Sequence, residues 1–558
     1  MNIIKSIPPP QDNNCFVSID TEFFGMNKKQ MHRPNSGRFA CMTVCVNDED
    51  VYYIDRQEDV PAVLDNLNDC VWCFHNAKFD ITQLRRYAEI APRKKLWDTM
   101  LIERIMYNGY YDTFGLEDVV RRHLSIEMHK ETQKEFETAT EMTPDKIEYA
   151  CLDALYTRRV ALEQKKHMDK DDFTVWTKID RPALWAVMNF QGFALDKDKW
   201  IALAELNKQR QGEIDANLPF NPRSPKQVVK WFSEHGVKLE SSDEEHLLKV
   251  VHKQDGIAKE VAQQILDSRM YGNRASKYGT KWIKEFLEYD KEVPVFIASY
   301  NVVGAETGRM SANDPPMQTI PIRDTTEFRE CFVARPGNDL LIADYSAQEP
   351  RIMAYLSQDK NLIQIFNDGK DIYIEMAKYI FNETITKKDP RRNTMKSVVL
   401  GMNYGLSKWG LSRREGIPVD LAEEYLTKSF KMFPGVANWM KKQQGNHKYV
   451  TTVAGRKYWL NSYATQSERN SLNAPIQGTA ADMFKKSVST LYQEWNFDCP
   501  FGVVAVVHDE LVLDVPKHLS KQISKLLSDI MVQTAEEMCP GVPFKADVAI
   551  GSRWSEKS

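Results

Sequence analysis

The sequence has few cysteines, no long apolar stretch and no signal-peptide core. Its nine cysteines are scattered over 558 residues. The single CxxC, Cys70 to Cys73, lies in an apolar run, which leaves zinc ligation and buried thiols as alternatives. No apolar stretch approaches the ~20 residues that span a bilayer, and the start of the chain lacks a signal-peptide core. A disulfide scaffold, a membrane protein and a secreted protein are therefore not expected, and the cytoplasm is the expected location.

A strong charge of either sign is also absent. The 74 basic and 78 acidic residues give a net charge of −4, so bulk charge does not reveal a nucleic-acid partner. Binding of that kind must come from local basic patches, although each patch alone also fits a solvated face. The candidate patches are Lys226 with Lys230, and Arg269 with Arg274 and Lys277. Repeats and low-complexity tracts are missing too, and the length predicts about three to four domains of ~150 residues.

The most informative residues present are two aspartates at predicted strand ends. Asp344 follows the apolar run 340–343, and Asp509 lies between apolar runs 503–507 and 511–515, which predict a hairpin. Carboxylates on converging strand ends can hold the two divalent cations of an in-line phosphoryl transfer. For either segment alone, an ordinary acidic turn is an equally good explanation.

A basic segment between these aspartates predicts a helix that starts near residue 390. Asp389 suits the N-cap and Pro390 the first helical position, so the free amides of the first turn would face an anion. One face of this helix then changes from charged to apolar to aromatic, through Arg392, Lys396, Leu400 and Tyr404. That order suits a nucleoside triphosphate laid along the helix. The alternative, a solvated basic turn, leaves the order unexplained.

The amino-terminal third contains a second candidate site. Side-chain alternation along the predicted strand 15–22 puts Asp20 and Glu22 on the same side. Helical spacing predicts two further pairs, Asn76 with Asp80 and Tyr149 with Asp153. Four carboxylates and a phenol can form one site, in which a metal-activated hydroxide makes a serine or cysteine nucleophile unnecessary. A domain kept only as a scaffold is the alternative.

Together these segments resemble the motifs of the family A DNA polymerases, the group of bacterial DNA polymerase I and several phage replicases. Further matching segments are Thr307–Ser311, Asn473–Asp482 and Gly551–Trp554, so the resemblance runs from about Phe16 to Trp554. It implies an α/β and α+β multidomain fold, in which a ribonuclease H-like 3′-5′ exonuclease domain precedes a right-hand palm, thumb and fingers polymerase domain. The expected divisions are the exonuclease at 1–165, linker and thumb at 166–290, palm at 291–360 and 471–558, and fingers at 361–470. The charged stretch 167–172 is the expected linker, and palm strands are expected at 296–301 and 340–344. A 5′ nuclease is not expected.

The resemblance also implies roles at the polymerase site. Two Mg²⁺ ions, for which Mn²⁺ would substitute, would be bound by Asp344, Asp509 and the backbone carbonyl of Tyr345. The incoming deoxynucleoside triphosphate would be bound by Arg392, Lys396, Leu400 and Tyr404. Lys396 would also donate a proton to pyrophosphate, and Glu349 would exclude a 2′-hydroxyl. Primer and template would be contacted by Arg309, Gln318, Arg469, Asn473, Gln477 and His508, with His508 and Glu510 also supporting Asp509.

At the exonuclease site, the resemblance implies a second pair of metal ions. Their ligands would be Asp20, Glu22, Asp80 and Asp153. Tyr149 would orient the water that attacks the 3′-terminal phosphodiester. The enzyme would then both extend a primer and remove its last nucleotide.

Several residues depart from the family pattern. Leu400 stands where the family carries an aromatic residue against the sugar, and Pro350 follows the expected gate residue Glu349. Polar groups near the minor groove are replaced by Pro316, Thr319 and Val506. These changes motivate the hypothesis of an altered minor-groove check, suited to a base with an extra amino group such as 2-aminoadenine.

The favoured function is a DNA-templated DNA polymerase with proofreading, of a phage-type replication system. It would act as a monomer on primer-template DNA, with a processivity partner not identified. An RNA polymerase or reverse transcriptase on the same palm is one alternative, against which Glu349 and the exonuclease motifs argue. A catalytically inactive DNA-binding accessory subunit is the other, against which the complete sets of acidic residues argue.

Overall fold

The computed structural model describes residues 1–26, 33, 36–128, 135–322, 325–445, 447–460 and 466–557. A six-stranded mixed sheet lies at the amino-terminal end, in the order β1-β4-β3-β2-β5-β6. Its strands are β1 Asn2–Ile4, β2 Phe16–Phe24, β3 Arg38–Cys45, β4 Asp50–Ile54, β5 Val71–Phe74 and β6 Leu96–Asp98. The helices described here are α1 Val60–Asn66, α2 Ala77–Leu84, α3 Thr99–Tyr107, α4 Leu116–Leu124 and α5 Pro144–His167.

Strand β2 is the centre of this sheet because it is apolar along most of its length. It runs parallel to β5 and antiparallel to β3, and Asp20 and Glu22 are half-buried between fully buried neighbours. Helix α5 packs across β2 and β3, where Ser18 and Thr43 donate side-chain hydrogen bonds to carbonyls of α5. The predicted strand around Asp20 is therefore confirmed, and α5 lies against it.

A helical region follows. Its helices are α6 Lys170–Val175, α7 Arg181–Val187, α8 Lys197–Asn217, α9 Pro225–Glu234, α10 Glu244–Lys253, α11 Ile257–Tyr278 and α12 Thr280–Phe286. The tip of this region has its own apolar core, which includes Val228, Phe232, Leu247 and Ile265. The charged stretch 167–172, expected as a linker, is a helix junction, in which the Asp169 side chain caps α6.

Antiparallel sheets form the centre of the carboxyl-terminal two thirds. The main sheet has the order β15-β16-β12-β17, so β12 lies between two partners. Its strands are β12 Asn338–Tyr345, β15 Val503–Val507, β16 Glu510–Pro516 and β17 Ala546–Gly551. The smaller sheets contain β7 Phe193–Ala194, β8 Leu287–Asp290, β9 Val293–Phe296, β10 Ser299–Asn301, β11 Ser311–Asn313, β13 Tyr449–Thr451 and β14 Lys457–Trp459. The strand expected at 296–301 is thus split between β9 and β10.

Nine further helices of the described chain follow or lie between these strands in the sequence. They are α13 Gln348–Ser357, α14 Lys360–Asn367, α15 Ile372–Phe381, α16 Pro390–Asn403, α17 Lys408–Glu415, α18 Val419–Met432, α19 Pro434–Gln443, α20 Gln466–Glu494 and α21 Ser520–Met538. None of the described helices is both long and apolar enough to cross a membrane. The amino-terminal sheet unit touches strand β10 directly, because Lys78 of α2 donates to Ser299 Oγ at 2.7 Å and to the Tyr300 carbonyl at 2.9 Å.

Two candidate catalytic sites

The first candidate site, the paired-aspartate site, is formed where β12 meets the β15–β16 hairpin. Asp344 lies opposite Glu510 in the antiparallel register of β12 and β16. Asp509 precedes Glu510 in the turn, and His508 takes a left-handed backbone conformation there, with φ of 59°. Burial raises the pKa of Asp344, and the negative charges of Asp509 and Glu510 raise it further. Sheet pairing therefore brings together two acids that lie 165 positions apart in the chain, 344 and 509.

Glu510 is held by three donors and so has a different environment from its neighbour Asp509. Its Oε1 accepts hydrogen bonds from Arg329 Nη1 at 2.9 Å and Trp554 Nε1 at 2.5 Å. Its Oε2 accepts from Lys557 Nζ at 3.0 Å, and the same ammonium lies 2.8 Å from Asp344 Oδ2. Sequence reasoning singled out the segment that ends at Trp554 but gave it no role, and it missed Arg329 and Lys557. The partners of Glu510 support its position at the strand end.

Helix α16 carries the predicted basic row and packs on α13, the helix that follows β12. The helix begins at Pro390 and the Asp389 side chain caps it, as predicted, by accepting the amide of Arg391. Arg392 pairs with Asp371 at 2.7 Å, and Lys396 is exposed. Leu400 is half-buried on the last turn. The helix ends at Asn403, so Tyr404 lies immediately after it instead of on it.

Four predicted residues from separate elements meet in one hydrogen-bonded cluster. Glu349, in the first turn of α13, accepts the Tyr404 hydroxyl at 3.1 Å and Arg309 Nη2 at 3.1 Å. Gln477 of α20 donates to the Tyr404 oxygen at 2.7 Å. Burial and the charge of Glu349 raise the pKa of Tyr404 to about 12, so the phenol keeps its proton and donates. The proposed gate residue is thus held in place from two sides.

The other residues predicted to contact DNA differ in their exposure and in their hydrogen bonding. Arg469 is exposed near the start of α20, and Asn473 is half-buried with its Oδ1 accepting no hydrogen bond within the described part of the chain. His508 is exposed at the hairpin turn, and desolvation together with the nearby Arg309 lowers its pKa. Gln318 has its amide turned toward backbone, because it accepts the Ala312 amide and donates to the Val506 carbonyl.

Residues 345 and 350 are both buried. The side chain of Tyr345 points into the core, where its hydroxyl donates to the Met531 carbonyl at 2.7 Å. Only its backbone carbonyl is therefore left for the role predicted for it. Pro350 is the third residue of α13, a position where a missing amide hydrogen costs no helical hydrogen bond.

The second candidate site, the four-carboxylate site, lies on the amino-terminal sheet. Asp20 and Glu22 come from β2, and the other members are Asp80 of α2 and both Asp153 and Tyr149 of α5. Asp80 Oδ1 accepts the Thr21 amide at 3.0 Å and the Thr21 hydroxyl at 2.7 Å. The Tyr149 hydroxyl is hydrogen-bonded to Asp153. The structure therefore brings all five predicted residues to one place.

The electrostatics of the four-carboxylate site confirm how close these groups are. Burial raises the pKa of Asp20 to about 7. Burial also raises the pKa of Glu22 well above its ordinary value, and the charges of Asp20, Asp153 and Asp80 add to this effect. Burial and the neighbouring carboxylates raise the pKa of Tyr149 as well. Without a counter-charge, the site therefore favours protonated acids.

The donor set of both sites fits a hard divalent cation. All the candidate ligands are oxygen atoms, and Asp20 Oδ2 is buried without a hydrogen-bond partner in the described chain. Among the described residues, no three His, Cys, Asp or Glu side chains already converge on one point as a metal cage. Mg²⁺ characteristically takes one or two carboxylates and completes its shell with water and phosphate oxygens, so a preformed cage is not required.

One residue near the four-carboxylate site was missed from the sequence. Asp98 is buried at the start of α3, where it accepts the amides of Met100 and Leu101 as an N-cap. It also accepts the amides of Asn76 and Ala77, at 3.3 and 2.8 Å, which fixes the start of α2 and hence the position of Asp80. An acid ahead of an apolar helix was the available signal.

Comparison with known proteins finds two family models that match separate regions of the chain. The family model for DNA polymerase family A matches residues 197–556, and a 3′-5′ exonuclease model matches residues 10–169. DNA polymerase I of Chloroflexus aurantiacus is 29% identical over 525 residues, which cover 87% of this chain and 54% of that protein. DNA polymerase I of Pseudomonas aeruginosa is 29% identical over 527 residues, covering 86% and 56%. The chain spans about half the length of these curated relatives.

Two further similar proteins cover about half and nearly all of the chain, respectively. The thermostable DNA polymerase I of Thermus aquaticus is 34% identical over 269 residues, or 46% of this chain and 32% of that protein. A solved structure of the POL domain of Pol1 from M. smegmatis, in complex with DNA primer-template and dNTP, superposes with a TM-score of 0.82. That match has 23% identity and covers 97% of this chain and 95% of the other. The fold predicted from the sequence, an exonuclease domain followed by a polymerase domain, is confirmed.

The family model for the polymerase covers more than half of the chain, and the exonuclease model covers much of the remainder. The acidic residues that the sequence singled out lie within these two regions, in β12 and the β15–β16 turn, and in β2, α2 and α5. The protein therefore belongs to DNA polymerase family A and carries a 3′-5′ exonuclease domain.

Proposed function

We propose that this protein is a DNA-templated DNA polymerase that extends a primer 3′ end and proofreads it with a 3′-5′ exonuclease. The observation that carries the proposal is the meeting of Asp344 and Asp509 at the end of β12, together with the packing of the basic helix α16 on α13, the helix that follows β12. A phosphoryl transfer needs a pair of acids for cations and a cationic surface for the triphosphate, and the strand end and α16 offer these two features.

At the polymerase site, Asp344, Asp509 and the carbonyl of Tyr345 would hold Mg²⁺, with Mn²⁺ as a substitute. Bound Mg²⁺ would stabilise the charge that develops on the transferred phosphoryl group. Arg392 and Lys396 bind the triphosphate, and Lys396 protonates the departing pyrophosphate. Arg392 releases Asp371 or shares it with the phosphates, since its guanidinium is paired with that carboxylate. The sugar and base would contact Leu400, Tyr404 and Glu349.

Primer-template DNA is the proposed macromolecular partner. Arg309 and Gln477 belong to the cluster with Glu349 and Tyr404, and Asn473 lies one helical turn before Gln477 on α20, so all three are assigned to the place proposed for the new base pair. Arg469, Gln318 and His508 complete the proposed DNA-contacting set. The proposed divisions are the exonuclease at 1–165, linker and thumb at 166–290, palm at 291–360 and 471–558, and fingers at 361–470. A monomer acting in the cytoplasm is part of the same proposal.

At the exonuclease site, the proposed Mg²⁺ ligands are Asp20, Glu22, Asp80 and Asp153. The phenol of Tyr149 keeps its proton at neutral pH, because burial and the adjacent carboxylates raise its pKa. A neutral phenol can orient a water molecule by hydrogen bonding without adding negative charge. The carboxylates are half-buried or buried, so binding of a cation offsets the repulsion between them.

Two substitutions test the two activities separately. Asp344→Asn should abolish primer extension and leave 3′ degradation of a single-stranded oligonucleotide intact, whereas Asp20→Ala should do the reverse. Each activity is the folding control for the other, since both are measured on the same chain. Primer extension by Asp344→Asn at the wild-type rate would refute the polymerase proposal. Extension by the wild type with ribonucleotides as readily as with deoxynucleotides, or on an RNA template, would favour the alternative polymerases.

We also propose an altered base selectivity in a phage-type replication system. The support is the replacement of polar groups by Pro316, Thr319 and Val506, together with Leu400 at the sugar. Val506 is buried, and its amide and carbonyl bond to the Tyr300 hydroxyl and the Gln318 amide. Its side chain therefore offers no polar contact to a base edge. A competition between 2-aminoadenine and adenine nucleotides opposite thymine measures the selectivity, and equal incorporation would count against it.

A further inference from the structure

Arg309 is carried by a tight turn between β10 and β11. The amides of Gly304 and Ala305 donate to the Arg309 carbonyl at 2.9 and 3.2 Å, and the Gly308 amide donates to the Ala305 carbonyl at 2.9 Å. Glu306 lies inside this turn, three residues before Arg309. Because these backbone hydrogen bonds link the turn to Arg309, contacts that hold Glu306 in place also hold the backbone of Arg309 in place.

Glu306 is fixed by two residues from different parts of the chain. The Asn108 side-chain amide donates to its backbone carbonyl, and the Tyr458 hydroxyl donates to its Oε2 at 2.9 Å. Asn108 and Tyr458 are both buried, with 3% and 8% of their surfaces exposed. Burial and the charge of Glu306 raise the pKa of Tyr458, so the phenol stays protonated and remains a donor. A buried hydrogen bond that loses its donor leaves its acceptor unsatisfied.

Asn108 connects the exonuclease domain to the polymerase domain at this point. It follows helix α3, and its own carbonyl accepts the Trp459 amide at 2.9 Å. The indole of Trp459 donates to the Met106 carbonyl at 2.7 Å. Strand β14 therefore lies along the end of α3, and the side chain of Tyr458 reaches from it to the turn.

We propose that Asn108 and Tyr458 are positioning residues for primer-template binding, through which the exonuclease domain holds the Arg309 turn in place. The inference rests on the proposed function, in which Arg309 contacts the DNA. Neither residue takes part in chemistry at either site. Their loss releases Arg309, weakens the hold of the polymerase site on the duplex and leaves both chemical steps unchanged.

The test compares Asn108→Ala, Tyr458→Phe and the double variant with Arg309→Ala. Fluorescence anisotropy gives the Kd for a labelled primer-template, and steady-state extension separates KM for DNA from kcat. Each single variant should raise Kd and KM by about fivefold, with kcat unchanged. Asn108→Ala removes a neutral hydrogen bond to the turn, whereas Tyr458→Phe removes the hydrogen bond to the Glu306 carboxylate and one accepted from Asn470. The double variant should raise Kd and KM by less than the product of the fold increases of the two single variants, because both residues act on Glu306.

Two controls make the experiment specific. Tyr449→Phe removes the hydroxyl of an exposed tyrosine on the same hairpin and should leave Kd unchanged. Degradation of a single-stranded oligonucleotide should also be unchanged in all variants, which verifies the fold of the exonuclease domain. Should Asn108→Ala fail to fold, Glu306→Gln takes its place, because it weakens the bond to Tyr458 and keeps the backbone carbonyl.

The possible outcomes separate this proposal from the proposed function. Weak DNA binding by Arg309→Ala, with wild-type binding by Tyr458→Phe and Asn108→Ala, would overturn the positioning role and leave the polymerase proposal standing. Wild-type binding by Arg309→Ala would instead refute the DNA contact on which both depend. A lower kcat at unchanged KM in the Asn108 and Tyr458 variants would also contradict a positioning role.

Discussion

At the scale of single residues, the four-carboxylate site is dominated by the burial of its acidic side chains. Asp20, Glu22 and Asp80 all have raised pKa values, with burial as the largest cause and neighbouring carboxylates adding to it for Glu22 and Asp80. The folded protein therefore binds protons that the unfolded chain releases. Such groups stabilise the fold at low pH, and that contribution is lost as the pH rises through the pKa of the folded state.

Removal of one of these charges should stabilise the metal-free protein in a defined pH range. The pKa of Asp20 is about 7 in the fold, against an ordinary value of 3.8. Its stabilising contribution is complete below pH 3.8 and disappears as the pH rises through 7. In EDTA, Asp20→Asn should raise the melting temperature more above pH 7 than near pH 4, as measured by calorimetry.

Glu58→Gln is the control for this measurement, because Glu58 is an exposed acid of the same domain. It should leave the pH dependence of the melting temperature as in the wild type. If Asp20→Asn also shows the wild-type pH dependence, the raised pKa of Asp20 is wrong. Addition of Mg²⁺ should reduce the difference between Asp20→Asn and the wild type, since a bound cation stabilises the buried carboxylate of Asp20 in the wild type.

At the scale of elements, the turn that carries Arg309 depends on a glycine. Gly308 has φ of 78°, and a Cβ placed there would lie 3.0 Å from Arg456 Cδ. A side chain at this position must therefore bear both a left-handed backbone and a close contact. The turn therefore combines a left-handed backbone position that suits glycine, close packing on Arg456 and the hydrogen bonds of Glu306 within a few residues.

Gly308→Ala should destabilise the protein and also weaken DNA binding. Left-handed backbone strain alone costs about 1–2 kcal/mol for an L-residue. Gly337→Ala is a matched control, because Gly337 has φ of 84° and no atom lies within 4 Å of the place that an added methyl group would occupy. Denaturant unfolding should show destabilisation in both variants, whereas anisotropy should show weaker primer-template binding only in Gly308→Ala. Equal DNA affinity of the two variants would argue against the importance of the Arg456 contact.

At the scale of the whole molecule, a buried ionic network joins three distant segments. Asp180, at the end of the π-helical turn Trp176–Asp180, and Asp482 of α20 are both bound by Arg456 and Lys485. Lys485 Nζ lies 2.6 Å from Asp180 Oδ1, and both side chains are almost completely buried. Burial raises the pKa of Asp180, but the two cations outweigh this effect and lower the pKa below its ordinary value. Two acids and two bases balance, so no net charge is buried.

Removal of one cation from this buried network should lower the free energy of unfolding substantially. Lys485→Met would leave two buried carboxylates with one counterion, which we expect to reduce the free energy of unfolding by about 3 kcal/mol or more. Lys486→Met, at the next position, removes only a partly exposed pair with Glu537 and should cost no more than about 1 kcal/mol. Urea unfolding of the two variants checks the contrast, and a similar loss in both would show that burial of the network contributes little.

Much of the local structure could be predicted from the sequence. The strand before Asp344, the hairpin around Asp509, the cap at Asp389 and the shared side of Asp20 and Glu22 were all predicted correctly. The charged stretch 167–172, where a linker is expected, contains the end of α5 and the cap of α6. Charge alone does not distinguish a solvated loop from a helix terminus, since both favour polar side chains.

The sequence by itself determined the strands, caps and spacings, because these depend on residues a few positions apart. Only the tertiary structure decided which distant groups meet. Asn108 and Glu306 are 198 positions apart, and Asp180 and Arg456 are 276 apart. A hydrogen bond across such a separation leaves no periodic pattern in the chain, because its geometry is set by the packing of whole domains. The candidate catalytic residues were therefore readable from the sequence, whereas the residues that hold them in position were not.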